Sequence, residues 1–580
     1  MFRQRGALTV ITPLLMLLVI LLGVMALDGA RLFSLRKEMQ SQVNAAATAA
    51  ADAAQACGGR MIALSDMRQR ALAAARAQGF EGGDDDLIIT PGLLEDVDEN
   101  GGLIFQAADF IDQTNAVLVS YQRDVKISLL LPEDIFGTVS VNVNAAVRKE
   151  AVVTMSAAGS TAVVGGGLLG ALLGAILGDS DYTLDPTSLS SLANTTVQLG
   201  ELLNALGVND VAGLLPLSGQ DLANALSTIS GAATPLGRML DSIVGAAGIE
   251  TIKVGDILSV VGETEVPPNS EFPIYDVVIS LVLNIVQSQQ PGEGGLLSLP
   301  LNISNLNIPL LADIRTVDLA LHVGEPPTVA FGPARRGQDG EWVTRFYAPD
   351  ITLVLVADAR LLNVDLLELV SLNLASVKVP LAVAVGGGKG ELVAADCARG
   401  RINDAEVTVD LHRQVARVAT GSVNSLGDLE QEDIDARVGT LKLLGVPLLD
   451  PAIRLRAGLD VFIPAEEKTV TFDPRYPLYC SRAQGCERRV WEDDGAGLDG
   501  LNLDVDVKEV RLLGLDLESL LTPVTNLLED LLNGVVSSLL KAIVNPLLQT
   551  LGIGLGGMSV TVSGVDQSNI QIVENVTVAN

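Results

Sequence analysis

"MFRQRGALTVITPLLMLLVILLGVMALDGARLF", residues 1–33, decides how the rest of the chain is read. Residues 7–27 carry no charged side chain. At ~1.5 Å per residue a helix of that length reaches about 31 Å, enough to cross the hydrocarbon of a bilayer. A secretory signal has a shorter apolar region, about 7–15 residues, and ends at a small-x-small cleavage site. Here the run passes directly into Asp28-Gly29-Ala30-Arg31, and the charge of Asp28 spoils both Ala26-x-Asp28 and Asp28-x-Ala30 as cleavage sites. The segment reads as an uncleaved membrane anchor. Arg3 and Arg5 precede it while Arg31, Arg36 and Lys37 follow, so counting positive charges does not orient it. The very short tail ahead of the span favours a cytoplasmic N-terminus.

Beyond the span comes "SLRKEMQSQVNAAATAAADAAQACGG", residues 34–59, rich in Ala, Gln, Met and Lys. These strong helix formers extend the membrane helix to about Gln55, where Gly58 and Gly59 stop it. The result is a rod of roughly 50 residues, ~75 Å long. Its alanine-rich face suits close approach by another helix; the plainer reading is a helical stalk. Residues 60–78 read as a further helix. "GFEGGDDDL" then breaks the pattern, and Asp84, Asp85 and Asp86 lack the alternation of a calcium loop, so they read as a solvated turn. "VKISLLLP" (125–132) and "GTVSVNVNAAVRKEAVVTMS" (137–156) read as strands, the second by its alternation from Val139 to Val143.

"GSTAVVGGGLLGALLGAILGDSD", 159–181, tests the single-span reading. Gly166, Gly170, Gly174 and Gly178 fall every fourth residue and place a candidate packing face along one side of a helix, as in membrane helix pairs. Each glycine also weakens a helix by about 1 kcal/mol relative to Ala. A second span and a buried apolar segment of the exported region both remain open, the second being favoured. From Asp185 to about Gly245, Leu189, Leu192, Leu199, Leu203 and Leu206 recur at helical spacing, with glycine and proline punctuation that implies several short helices.

From about Thr251 to Arg489 the texture is β: "FPIYDVVISLVLNIV", "TVDLALHVGEPP", "DITLVLVADARLL", "VKVPLAVAVGGG" and "AEVTVDLH". In the tail, apolar pairs recur every four residues from 527/528 to 547/548. Four residues advance about 400° on an α-helix, so that stripe drifts ~40° per step and the helix needs partners on several sides. A central core helix, kinked before Pro546, is the favoured reading, and a contact face for lipid or another subunit is the alternative. The chain ends in a strand-like run. The fold class expected is α+β: one N-terminal transmembrane helix continuing into an Ala-rich helix, then a large β-rich exported region with amphipathic helices. The divisions are 1–57, 58–160, 161–250, 251–500 and 501–580.

The net charge of −32 over 580 residues excludes nucleic acid as a partner, since phosphate binding needs clustered Lys and Arg. No Gly-x-Ser-x-Gly elbow, phosphate loop, HExxH or CxxC is present, and two histidines leave little general-base capacity near neutral pH. "VAVGGGKGEL" lacks the Ser or Thr a phosphate loop needs after its lysine. The 70 acidic residues single out no catalytic pair. The chain reads as a non-enzyme with no cofactor and no metal site. Four cysteines allow three pairings; Cys480 and Cys486 are the candidate local disulfide, leaving Cys57 and Cys397 to pair across domains or stay free.

Arg-Gly before the span, Asp28 with Arg31 at its far end, and the Ala-rich helix after it resemble, in combination, the N-terminal module of TadG-like Flp pilus-assembly proteins. The likeness covers about the first 55 residues, with a looser one over "GGLLGALLGAILG", "SLANTTVQLGELLNALG" and "ALHVGEPP". It implies an inner-membrane, single-pass component of a tight-adherence (Tad) pilus apparatus, with its bulk in the periplasm as scaffold or interaction surface. The implied partners are the membrane and other pilus-assembly or pilin-like proteins. Pilin-type processing needs Glu at the fifth position after a cleaved glycine; after Gly6 that position is Ile11, which favours a permanent anchor. The Asp-x-Ser-x-Ser metal site of some relatives is absent. The alternative function is a membrane-anchored periplasmic module that binds lipid or another apolar ligand.

Overall fold

A computed structural model describes residues 7–579 except 97–102, 131, 158–165, 180–181, 183, 185–191, 193–194, 262–265, 291–294, 300–306, 309–311, 362–363, 368–369, 375, 398–404, 425–427, 444–445, 473–477, 480–486, 493–504, 513–514, 517–521, 552 and 555–556. Helix and strand are present in near-equal measure, and a long apolar helix opens the chain.

That helix, α1 (Ala7–Ala51), changes character along its length. From Ile11 to Leu27 its large apolar side chains are exposed. From Met39 onward Val43, Ala46, Ala47, Ala50 and Ala51 are fully buried. The distal half is therefore no free stalk: it packs on α2 (Leu64–Ala77) through Met67, Ala71 and Ala75, and on a sheet. Small side chains on both helices let the two backbones approach, which is what an alanine stripe offers a neighbour.

The sheet contains β1 (Leu87–Asp96), β2 (Leu103–Ala107), β3 (Ala116–Lys126) and β4 (Thr138–Arg148), in spatial order β4-β3-β1-β2. Val117, Val119 and Tyr121 of β3 and Val143, Ala145 and Val147 of β4 face the helices. The sheet is finished by the far end of the chain: strand Gln571–Glu574 lies on β4 and strand Thr577–Val578 runs parallel to β2. The unit built on α1 thus joins strands from both ends of the chain. "VKISLLLP" contributes only Val125 and Lys126 to β3; Ile127, Ser128, Leu129 and Leu130 lie outside any strand.

After Arg148 the chain leaves this sheet. Strand β5 (Ala151–Ser156) joins a second one, between strands Val329–Gly332 and Gly557–Gln567. The long run read as one strand, 137–156, is therefore two strands in two sheets, and the polar pair Lys149-Glu150 marks the crossing. Next, α3 (Gly166–Leu177) is only 12 residues long, with Leu169, Leu172, Leu173 and Ile176 in the main core. Three of the helices before Val244 begin at side-chain caps: Asp210 accepts from Gly213 N, Ser218 and Asp221 form a capping box, and Thr234 accepts from Gly237 N ahead of Pro235.

One β expectation is overturned. "FPIYDVVISLVLNIV" forms α4 (Ile274–Gln289), with every residue from Ile274 to Val286 buried. A helix wrapped on all sides shows no amphipathic period, so β-branched residues imitate a buried strand. Around it, β6 (Ala312–Val323), β7 (Ile351–Leu361), β8 (Ser376–Val385) and β9 (Ala416–Val423) form an antiparallel meander. A further antiparallel sheet includes strands Val370–Leu374, Ile434–Leu443, Val446–Gly458 and Asp506–Leu512.

The C-terminal helix region resolves the four-residue repeat. α5 (Thr522–Leu539) passes into a π-helical segment, Leu540–Val544, and then α6 (Asn545–Thr550). The pairs 531/532, 535/536, 539/540, 543/544 and 547/548 are all buried. A π turn holds more residues than an α turn, so it rotates the stripe backwards and offsets part of the accumulated drift. This is a core helix, and Tyr275 of α4 donates its hydroxyl proton to Thr550 O at 2.5 Å.

Candidate functional site

Helix α1 and the way it is held form the candidate site. Gln40 Nε2 donates to Asn44 Oδ1 (2.9 Å) and to Asn144 O of β4 (3.1 Å), while Asn44 Nδ2 donates to Glu574 Oε1 (2.7 Å). Asn144 Oδ1 accepts from Val576 N at 3.1 Å. Residues separated by more than 500 positions are thus tied through one face of α1. Phe80 and Tyr121 close the bottom of the helix–sheet layer, edge to face at 5.1 Å.

The junction between the two lobes is polar and buried. Arg148 Nη2 lies 2.8 Å from Glu150 Oε2, and Glu150 Oε1 also accepts from Asn115 Nδ2 at 3.0 Å. Arg148 Nη1 donates to Leu94 O. Partnered in this way, the buried charges avoid the penalty of naked ions in a poor dielectric. Just beyond α1, Gln55 donates its side-chain amide to Val393 O (3.0 Å), Gly59 N reaches Ala395 O (3.1 Å), and Cys397 N reaches Cys57 O (3.1 Å). Cys57 and Cys397 are disulfide-bonded, with Cα atoms 4.9 Å apart. Of the two fates the sequence leaves open for these cysteines, this is pairing across domains. Cys480 and Cys486 lie outside the described residues.

Beside the disulfide is an open cleft of about 470 Å³ between the lobes, lined in part by Arg60, Phe110, Asp112, Arg336 and Trp342. The Arg336 guanidinium stacks over Trp342 at 4.8 Å and lies 3.4 Å from Asp112 Oδ2. Nothing in the sequence flagged these residues, because they come from segments that are distant in the chain.

The glycine face of α3 meets the chain's own backbone. A Cβ at Gly170 would touch Leu184, and one at Gly174 would lie 2.6 Å from Asp179 O. Gly178 ends the helix with φ +70°, and Asp179 N bonds back to Gly174 O at 2.9 Å. Gly166 is the first residue of α3. Gly170 and Gly174 therefore accommodate the returning segment around Tyr182 and Leu184.

Among the described residues no group of three His, Cys, Asp or Glu is placed to hold a metal ion. His412 instead faces Glu391 (3.4 Å) and Glu467 (3.1 Å) on neighbouring strands. Among the described residues two helices are long and apolar enough to cross a membrane, Ile11–Ala51 and Glu529–Thr550; the most apolar window of the second is more than half buried, that of the first almost wholly exposed. Compared with known proteins, the chain matches no family model, no curated protein and no solved structure.

Proposed function

We propose that this chain is a membrane-anchored structural component of Flp/Tad-type pilus assembly, single-pass in the bacterial inner membrane, with its bulk in the periplasm as scaffold or interaction surface. The observation that carries the reading is α1. One unbroken helix has an exposed apolar half long enough to span and a distal half clamped on a sheet. An interaction at the membrane then acts on a rigid body instead of a tethered one. The Cys57–Cys397 bond supports an oxidising compartment, where such bonds persist. The TadG-like character of the first 55 residues supports the pilus assignment.

The test is isolation of the full chain from cells after mild crosslinking. Co-isolation with pilin-like or pilus-assembly subunits is expected; repeated recovery without them, from cells that make the pilus, overturns the reading. A second reading, an anchored periplasmic module for lipid or another apolar ligand, is favoured by one observation. The registers Leu367↔Val370, Val370↔Leu443 and Leu443↔Val446 bring four apolar residues to the same end of one sheet. Mass spectrometry of co-purified lipid separates the two.

A further inference from the structure

We infer that the segment following β3, residues 127–130, is a second membrane contact that inserts Leu129 and Leu130 into the bilayer interface beside the anchor. Both leucines are about 70% exposed: 68% for Leu129 and 70% for Leu130. Two adjacent leucines at a loop tip have no folding role that their exposure reveals. Their position gives them one. Leu129 N–H donates to Asp28 Oδ1 at 3.4 Å, and the Arg31 guanidinium donates to Lys126 O. Asp28 and Arg31 are one turn apart on α1, so the loop is held on one face of the helix.

Asp28 is also the first charge after the apolar run. If that run fills the ~30 Å hydrocarbon layer, Asp28 stands at its edge and the loop tip stands there with it. The leucines then extend the apolar surface of the span sideways, at the depth where interfacial segments settle. On α1 itself Phe33 is 73% exposed two residues past Arg31, which places it about 200° round the helix, away from the loop. Aromatic side chains favour that level of a membrane. Exposed Arg36 and Lys37 lie just beyond, and Lys126, paired with Glu133 Oε2 at 2.8 Å, rims the loop. Basic groups at this height suit anionic headgroups.

The occupant is therefore lipid, on the strength of continuity with the span. Loop closure supports a defined tip: Ile127 N bonds to Gly137 O (3.2 Å), and Glu133–Phe136 forms a helical turn. Contact at a second point would fix the tilt of the whole domain over the membrane, which a lone helix does not do.

This inference rests on the spanning role proposed for α1, and the experiment separates the two. The full chain is reconstituted in phosphatidylethanolamine–phosphatidylglycerol vesicles as three proteins: the parent, Leu18→Trp and Leu130→Trp. Emission from Trp342 and Trp491 in the parent is subtracted. Phospholipid brominated near the headgroup end of its acyl chains serves as quencher, with acrylamide as the aqueous quencher. The expected result is a blue-shifted signal for Leu130→Trp that brominated lipid quenches and acrylamide does not, with Leu18→Trp also shielded from acrylamide. A Leu130→Trp signal open to acrylamide, while Leu18→Trp stays shielded, overturns the loop contact and leaves the span intact. A signal shielded from both quenchers means protein covers the tip, which also overturns it. If Leu18→Trp is itself open to acrylamide, the span and the loop contact fail together.

Discussion

Asp52 Oδ1 lies 2.6 Å from Lys149 Nζ, so the residue following α1 is paired with one of the two that separate the β1–β4 sheet from the second sheet. The neighbouring Arg148–Glu150 pair continues this junction inward, where Glu150 has no exposed surface at all. Glu150→Gln leaves Arg148 buried beside a neutral partner. Breaking one side of such a pair costs about 3–5 kcal/mol. Lys149→Met should cost less, since Asp52 is 30% exposed and water can serve it. Denaturant unfolding of the full chain in detergent measures both; equal, small losses would mean that the junction contributes little.

The disulfide makes a second prediction. Cys57 and Cys397 are 340 residues apart, and closing a long loop constrains the unfolded chain. Replacing both by Ala should lower stability by about 2–4 kcal/mol. It should also expose the segment at Gly58 and Gly59 to proteolysis. Maleimide labelling of unreduced, denatured protein should leave both thiols unmodified, and labelling at Cys57 would contradict the pairing.

Asp566 gives a pH dependence. Burial pushes its carboxyl above the usual value of 3.8; the hydrogen bond from Ser270 opposes this, the charge of Glu271 adds to it, and Asn269 opposes it. A raised acid binds its proton more tightly when folded, so its ionisation costs stability that is fully lost at neutral pH. The penalty disappears as pH falls through the raised pKa toward 3.8. In Asp566→Asn the amide nitrogen can donate to the Ser270 hydroxyl while the amide oxygen still accepts from Asn269. The variant should be at least as stable as the parent at pH 7, with the advantage shrinking toward pH 4. Melting temperatures across that range decide it, and a constant difference would mean that Asp566 does not titrate there.

What the sequence revealed and what it hid divide along a physical line. The long apolar helix was legible because charge-free length is a local property. The short helices between Leu199 and Val244 were legible because leucine spacing and glycine and proline punctuation are local too. The four-residue repeat told that the C-terminal helix needs partners on several sides, though not that a π segment at Leu540–Val544 takes back part of its drift. α4 was misread because total burial erases the polar face that distinguishes a helix from a strand. The cleft at Arg336 and Trp342, the pairing of Gln571–Glu574 with β4, and the contact of Leu129 with Asp28 all depend on register between distant segments. No local pattern encodes that.

The glycines of α3 allow a last test against those of the anchor. A Cβ at Gly174 would sit 2.6 Å from the Asp179 carbonyl oxygen, a backbone atom that cannot swing aside. Gly174→Ala should therefore cost about 1–3 kcal/mol, as overpacking does. Gly178→Ala meets no neighbour, but φ +70° is strained for any residue with a Cβ, at about 1–2 kcal/mol. Gly23, inside the apolar run of α1, has nothing within 4 Å, and Ala there should be neutral or add up to about 1 kcal/mol of helix propensity. Thermal unfolding in detergent, read beside the oligomeric state, tests the set. If the glycine stripe of α3 serves its own returning segment, Gly174→Ala lowers the melting temperature and leaves the oligomeric state alone. A variant that changes assembly while melting normally would instead make Gly170 and Gly174 the meeting face of two helices from separate chains.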